Sequence, residues 1–518
     1  MFKKPVKQSY QMPKVSLDAG SFRKSYRDWF VNKNIIRGNG RAERELSNDR
    51  VDDRFWNDGT TRCVVNALVT NVIGKGLTPQ SILPYKKLGI SIETASELQD
   101  QIEWLWFQWS KTAHFRGQET FGRLQTLAFL SMIKYGEFLH LPIKQKNSGD
   151  KFDFKIQDLA PSRLRTPFDR YENPMFHDGV EVDQYGVPIA YWILNPKPIY
   201  TYIDYEGLTV DDFTRYPAKL KYGRKGVYHV FKCEEDEQYR GISPLAPVLN
   251  YLRNFADALD NELMCEVTAS NFAVFVGLQN GAAAGLADEL YKPNELHDTV
   301  EEAPKYYQDI QGGQIMYGNP GEKPEVIENC RPSNNFLSFC ELLLRMVGAC
   351  LELPYEVVTK DFSNVNYSSA RAALLEAYRV YEIYREIMVR QYCQPIFQEV
   401  LIEAVGKKYL KLPCTPSQFI RDIDLWSNTK WIGPSRGYID PMKEANACVT
   451  LINAGIVSRS EIVAERGGDF DEITQRLADE KKMRTDLGLE ETLQEPQQFA
   501  DADESDEKPR KPFRRNKK

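Results

Sequence analysis

No Cys-x-x-Cys pair, no G-x-x-x-x-G-K-[ST] phosphate loop and no G-x-G-x-x-G turn occurs in this chain of 518 residues. The missing loops argue against a P-loop motor or a dinucleotide enzyme, whose phosphate cradles need those glycines. Histidine is scarce, with five residues (114, 140, 177, 229, 297), none spaced i,i+3 or i,i+4 from another His and only His229 four residues from a Cys (Cys233), so local motifs offer no zinc site. H-E-x-x-H and G-x-S-x-G are absent as well. A run of about 18 apolar residues is nowhere found, which predicts no membrane-spanning segment and no membrane partner. The basic N-terminus lacks the apolar stretch of a secretory signal. The nine cysteines are scattered and read as reduced core residues of a soluble, intracellular protein.

What the chain does have is apolar material, 42% of its residues, and a near balance of charge, 67 Lys+Arg against 73 Asp+Glu, or −6. At about 100–200 residues per core, this length predicts three or four packed modules. The mild acidity excludes a surface that is basic throughout, so any contact with nucleic acid must come from local patches.

Residues 1–50 carry twelve Lys/Arg against five acids and form a basic arm, either a solvated tail or a docking segment for an acidic neighbour or nucleic acid. Helical patterns follow from Arg54 to Val72, from Ser91 to His114 with Ile102, Leu105, Trp106 and Trp109 on one side, and from Phe121 to Gly136. Short apolar or alternating runs then read as strands, among them HLPIKQ, FDFKIQDL, VEVDQYG and IAYWILN. This half is α+β, and its pattern leaves open whether the sheet is Rossmann-like or plainer. Residues 248–276 contain no Gly or Pro over 29 positions and read as one helix about 43 Å long. Residues 277–332, rich in Gly, Pro and acids, read as a small protruding module, and 334–353 as a helix returning from it.

A polar stretch with Asn/Ser-rich turns leads to a strong helix starting at Ser368 or Ser369. Leu374, Tyr378, Tyr381, Tyr384, Met388 and Tyr392 form its apolar stripe, opposite Glu376, Arg379, Glu382, Glu386 and Arg390. At that spacing the tyrosines read as core rather than a stacking surface for bases. Pro395 is expected to kink or interrupt the helix, which resumes to Val405. Start signals at Asp440-Pro441, Ser458-x-x-Glu461 and Asp469-x-x-Glu472, and stops at Gly455, Gly467 and Gly488, predict a compact module of short helices from about 438 to 487. The tail beyond it, acidic at 501–507 and basic at 508–518, is expected to be disordered.

Catalytic constellations are lacking. His229, in GVYHVFK, reads as a packed strand residue, and the acid pairs Asp211-Asp212 and Glu234-Glu235-Asp236-Glu237 read as solvated loops, with a Mg²⁺ nuclease site as the rival. No metal or cofactor is implied.

Four segments carry a resemblance: NDGTTRCVVNALVTNVIGKGL (57–77), YRGISPLAPVLNYL (239–252), NYSSARAALLEAYRVYE (366–382) and WIGPSRGYIDPMKEANACVTLINAGIVSRSEIVAERGGDFDEI (431–473). In these, and in their order, the chain resembles the phage portal proteins of the lambda family; the last two segments are the specific ones. The resemblance implies a predominantly helical α+β portal-type fold with wing, stem, clip and crown. Residues 1–50 would be the arm, 51–243 the wing, 244–276 and 334–353 the stem helices, and 277–332 the clip. Residues 354–368 would hold the tunnel loop, 369–436 the long kinked wing helix and linker, 437–487 the crown and 488–518 the charged tail.

The implied function is non-enzymatic. A ring of copies, usually twelve, sits at one capsid vertex as the channel for packaging and ejection of double-stranded DNA. Its implied partners are the terminase large subunit, the major capsid and scaffolding proteins and the head-completion or tail adaptor. Its implied place is the virion, with host cytoplasm during assembly. On that template Asp257, Asp260, Glu262, Glu266, Glu341 and Glu352 are candidates to line the channel and repel sliding phosphate, or else a solvated outer face. Lys360, Asn364 and Asn366 are candidates to touch DNA phosphates, although the asparagines equally suit turns and helix caps. The alternatives are a nuclease or motor subunit with carboxylates in 204–237, and another head–tail connector ring.

Overall fold

The computed structural model describes residues 41–146, 149–196, 208–276, 314–317, 335–363, 365–435, 441–468 and 470–488. The chain divides into two compact units, residues 1–434 and 435–518.

In the first unit the helix Arg41–Asn57 is followed at once by Gly59–Val72. The single helical pattern expected from Arg54 is thus split. Asp58 adopts an extended backbone, and its carboxylate accepts the Thr61 amide at 2.9 Å, capping the second helix. The end of the basic arm, 41–50, is already helical, and its Arg44 is buried. Helices Ile92–Ser110 and Phe121–Tyr135 start at Ser91 and Thr120, whose side chains accept backbone amides, and the stripe Ile102, Leu105, Trp106, Trp109 is buried as its spacing predicts.

Among the described residues, the strands between 137 and 231 form two antiparallel sheets, which removes the Rossmann-like option: 137–144 lies between 154–159 and 228–231, and 176–177, 180–182, 188–194 and 213–217 pair in sequence order. Both sheets are plain meanders or hairpins, with no parallel crossover.

The long helix behaves as its sequence predicts. Tyr367–Met388 buries Tyr381, Tyr384 and Met388, with Tyr378 half-buried, and exposes Glu376, Arg379, Glu382 and Glu386. It loosens into one π turn, Val389–Cys393, before resuming as Gln394–Gly406 with Pro395 in the first turn, where a missing amide hydrogen is tolerated. Tyr392, at the π turn, is wholly buried against Phe121, Phe138 and Tyr228, and its hydroxyl lies 2.7 Å from Nδ1 of His140.

A buried ion cluster joins these parts. Glu137, fully buried at the start of strand 137–144, accepts from Nε of Arg240 at 3.0 Å, from Nε2 of His229 at 2.9 Å, from the Gly241 amide at 2.9 Å and from Nη1 of Arg44 at 3.2 Å. Asp178 completes it, bonded by Arg44 and 3.1 Å from Nη1 of Arg240. Burial opposes the Glu137 charge, but Arg240 and His229 outweigh it and hold the carboxyl well below its ordinary range. The close approach depends on two glycines. A Cβ on Gly241 would lie 2.2 Å from the Gly136 carbonyl oxygen, and one on Gly136 would lie 2.2 Å from the Ile242 backbone.

In the second unit the helices Pro441–Asn453, Arg459–Glu465 and Phe470–Asp486 appear where expected. The Ser458–Glu461 capping box is formed, and Gly455, Gly467 and Gly488 take positive φ. The caps at Asp440 and Asp469 lie outside the described residues, as do the tail from 489 and residues 1–40 of the arm. Among the described residues of this unit only Ile462 and Ala464 are buried apolar groups, so the module has helices but hardly any interior.

Burial pushes His140 down to about 4, so it stays neutral in the fold. Unfolded, it takes up a proton below about 6.5, so its contribution to stability is complete above that pH and is lost as pH falls toward 4. His229, also lowered by burial, adds a slope of the same sign. Urea midpoints are therefore expected to fall from pH 6.5 to 4.5, and His140→Gln to flatten the slope by up to about 1.4 kcal/mol per pH unit.

Candidate functional site

The candidate site is built on two helices that pack together, Leu249–Asn271 and Phe336–Cys350. The first springs directly from the ion cluster. After Gly241, Ser243 donates to the Ile133 carbonyl at 2.9 Å, and a 3₁₀ turn at 246–248 feeds the helix with Val248 and Leu252 buried. Its sequence neighbours therefore set its origin rigidly.

The unbroken helix expected over 248–276 ends at Asn271. Residues 272–276, Phe-Ala-Val-Phe-Val, form a strand instead, paired in parallel with Gln314–Tyr317. Absence of Gly and Pro permits a helix but does not require one, and a β-branched and aromatic run favours the strand. The rest of the module expected at 277–332 lies outside the described residues.

The acidic candidates fall into distinct environments. Asp260 and Glu266 are exposed. Asp257 is exposed and 3.5 Å from Arg253, and Glu341 is 3.1 Å from Arg345, each pair one turn apart on its own helix. Glu262 does not face an open surface: it is 7% exposed, turned toward the return helix, where burial and then the Glu262 charge raise the Cys340 thiol above its ordinary pKa. Glu352 is exposed beyond the end of the return helix, with φ 56°. Over residues 249–267 and 336–352 the balance is two arginines against six acids, 2 − 6 = −4. Beside these charges run apolar side chains left exposed among the described residues: Leu259 and Leu263 (60% exposed) on one helix, Leu337 (75%), Phe339 and Leu342 on the other.

From the return helix the chain passes through the short helix Tyr355–Thr359 into the candidate loop. Lys360 takes a left-handed backbone (φ 58°) as the C-cap of that helix, and its side chain is exposed. Asn366 acts as a cap: its side-chain oxygen accepts the Ser369 amide at 2.8 Å and starts the helix Tyr367–Met388. Asn364 lies outside the described residues. Asp361, overlooked in the sequence, organises the loop by accepting from the Ser363 amide at 2.9 Å and its hydroxyl at 2.6 Å, which holds its carboxyl below the ordinary value. An Asp-x-Ser turn was the available signal.

Two of the acids considered for a nuclease are engaged locally. Asp212 accepts the Thr209 amide at 3.0 Å in a 3₁₀ turn, and Glu234 is 3.2 Å from Lys232. Among the described residues no group of three or more His, Cys, Asp or Glu is placed to hold a metal ion, and no helix is long and apolar enough to cross a membrane.

Comparison with known proteins adds the following. The model for phage portal proteins of the lambda family matches residues 22–385. The portal protein of Escherichia phage N15 is 25% identical over 475 residues, covering 88% of this chain and 86% of its own. Portal protein B of Escherichia phage lambda is 22% identical over 496 residues, 93% and 88% of the two chains. Among solved structures, a chain from the virion of a native gene transfer agent particle superposes with a TM-score of 0.39 at 12% identity, over 82% of this chain and 93% of that one.

Asn366→Ala is expected to lower stability by about 1 kcal/mol through loss of the cap, seen as a lower midpoint in thermal or denaturant melts. An unchanged midpoint would show that the bond to Ser369 contributes nothing.

Proposed function

The chain belongs to the lambda family of phage portal proteins, and on that premise we propose that copies of it close into a ring, of about twelve as the family resemblance implies, at one vertex of the capsid. Double-stranded DNA passes through the ring during packaging and ejection. The terminase large subunit docks on residues 277–332 before head-completion or tail proteins do, and the capsid and scaffolding proteins meet the outer surface formed by 51–243 and 369–436. Residues 437–487 serve as the crown, where neighbouring copies supply the interior that the single module lacks.

The observation that carries this reading is the helix pair 249–271 and 336–350, which combines an apolar strip exposed among the described residues with an excess of acid. Leu263, Leu337 and Leu342 are exposed among the described residues, and a neighbour's helices would cover them. Burying each such side chain contributes about 1.5–3 kcal/mol. The acids that remain, four in net charge per copy and repeated around a ring, would repel phosphate and keep DNA from adhering as it moves. Of the six acidic candidates, Asp260 and Glu266 suit that role best, whereas buried Glu262 serves the packing between the helices.

Light scattering or native mass spectrometry of the pure protein, followed by negative-stain imaging, tests the proposal. A closed ring with a hole just wider than duplex DNA is expected; a chain that stays monomeric or dimeric under assembly conditions, or that cleaves DNA with Mg²⁺, would overturn it. Leu263→Glu with Leu342→Glu is expected to weaken ring closure at least about tenfold while leaving the melting of the single chain nearly unchanged, because both residues are exposed there.

Lys360→Gly keeps the left-handed cap and removes only the side chain. Normal rings that package less DNA are expected. Normal rings with normal packaging would remove Lys360 from the mechanism.

A further inference from the structure

The four-stranded sheet ends in two turns that the proposed channel does not use. Because Ala190 pairs with Pro217, residues 183–187 and the loop 219–225 sit at the same end of that sheet. The loop reads Lys-Leu-Lys-Tyr-Gly-Arg-Lys, four cations and no acid. It closes as a hairpin, with the Leu220 amide donating to the Arg224 carbonyl at 2.7 Å and Lys219 bridging Lys225. Two cations anchor its base, since Nε of Arg224 donates to Glu399 at 2.7 Å and Nζ of Lys225 to the Gln391 carbonyl at 2.7 Å. The other two, Lys219 and Lys221, are exposed and pair with no carboxylate among the described residues.

At the tip Tyr222 has φ 63° and ψ 27°, and Gly223 has φ 75°. This is the left-handed pair of a type I′ turn, whose first position favours Asn, Asp or Gly. A bulky side chain there is strained and persists only when something else demands it. Packing does not demand it, because Tyr222 is 82% exposed. What tyrosine offers over asparagine at this position is a phenol held out in solvent directly after Lys221, on the same hairpin as Lys219.

We propose that the hairpin 219–225 is a contact for the phosphate backbone of double-stranded DNA, with Lys219 and Lys221 neutralising phosphates and the Tyr222 hydroxyl donating to a phosphate oxygen. The hairpin is seven residues long, well short of the roughly 20–30 residues a side of a stable protein interface. Phosphate contacts need only placed cations and donors, and carry no sequence information. The choice of DNA among polyanions rests on the portal reading. One hairpin grips weakly, and copies in a ring strengthen the grip through avidity.

The test measures binding of a short mixed-sequence duplex across a salt series for the full chain, for Lys219→Ala/Lys221→Ala and for Tyr222→Asn, with ring formation followed separately by light scattering. The lysine variant is expected to lower the slope of log K against log salt by about 0.9 per engaged lysine. Tyr222→Asn is expected to raise Tm by about 1–2 °C while weakening duplex binding by about twofold or more, opposite movements that a purely structural residue would not produce. Unchanged slope and affinity in both variants overturn the proposal, whether or not rings form. Variants that lose rings while the salt slope stays constant also overturn it, and assign the hairpin to contacts between copies. Duplex binding through the hairpin by a chain that never forms rings would sink the portal reading and leave this contact standing.

Discussion

The fold depends on one buried carboxylate. Glu137 has no water to solvate its charge, so the chain must bring it cations and donors from every side, and it does so with Arg44, Arg240, His229 and the Gly241 amide. A buried charge left without those partners would be strongly destabilising, which makes the arrangement cooperative. The first helix cannot swing away without stranding Asp178 and Glu137, and residues 240–241 cannot move without losing the guanidinium that also donates to the carbonyls of Leu164 and Asp178 at 2.8 and 2.6 Å. Gly136 and Gly241 follow from the same demand, since only backbones without Cβ atoms can come close enough for the Gly241 amide to reach the carboxylate.

The helix 249–271 leaves the cluster a few residues after Gly241, and the helix 367–388 is held at its far side by Arg385, whose Nε donates to the Val72 carbonyl at 3.0 Å. The helix 249–271, proposed to line a channel, thus hangs from a body tied together by hydrogen bonds. With the return helix 336–350 it carries the apolar strip proposed to meet a neighbouring copy and a surplus of negative charge. The basic hairpin at the end of the four-stranded sheet has the opposite electrostatic character, so one chain carries both the surface proposed to shed phosphate and the one proposed to hold it.

Much of this was legible along the chain because it rests on local rules. The capped helices at Ser91 and Ser458, the buried stripe of tyrosines and the interruption before Pro395 follow from periodicity, capping chemistry and the missing proline amide. Legibility failed where two local rules competed. Residues 272–276 satisfied a helix by lacking Gly and Pro, yet their β-branched and aromatic content found a strand partner some forty residues on. Asp58 looked like one more helical residue until its carboxylate was needed as a cap.

By itself the sequence determined the class of the fold, the placement of most helices and the family likeness, since these reside in spacing and in motifs read one neighbour at a time. Only the tertiary structure decided which charges are buried and which are free. Arg44 in a basic arm and Glu262 in an acidic row each read as solvated, and both proved buried, because burial depends on what distant segments place around a side chain. The same holds for Tyr222, whose strain and exposure belong to a backbone conformation that no neighbouring residue announces.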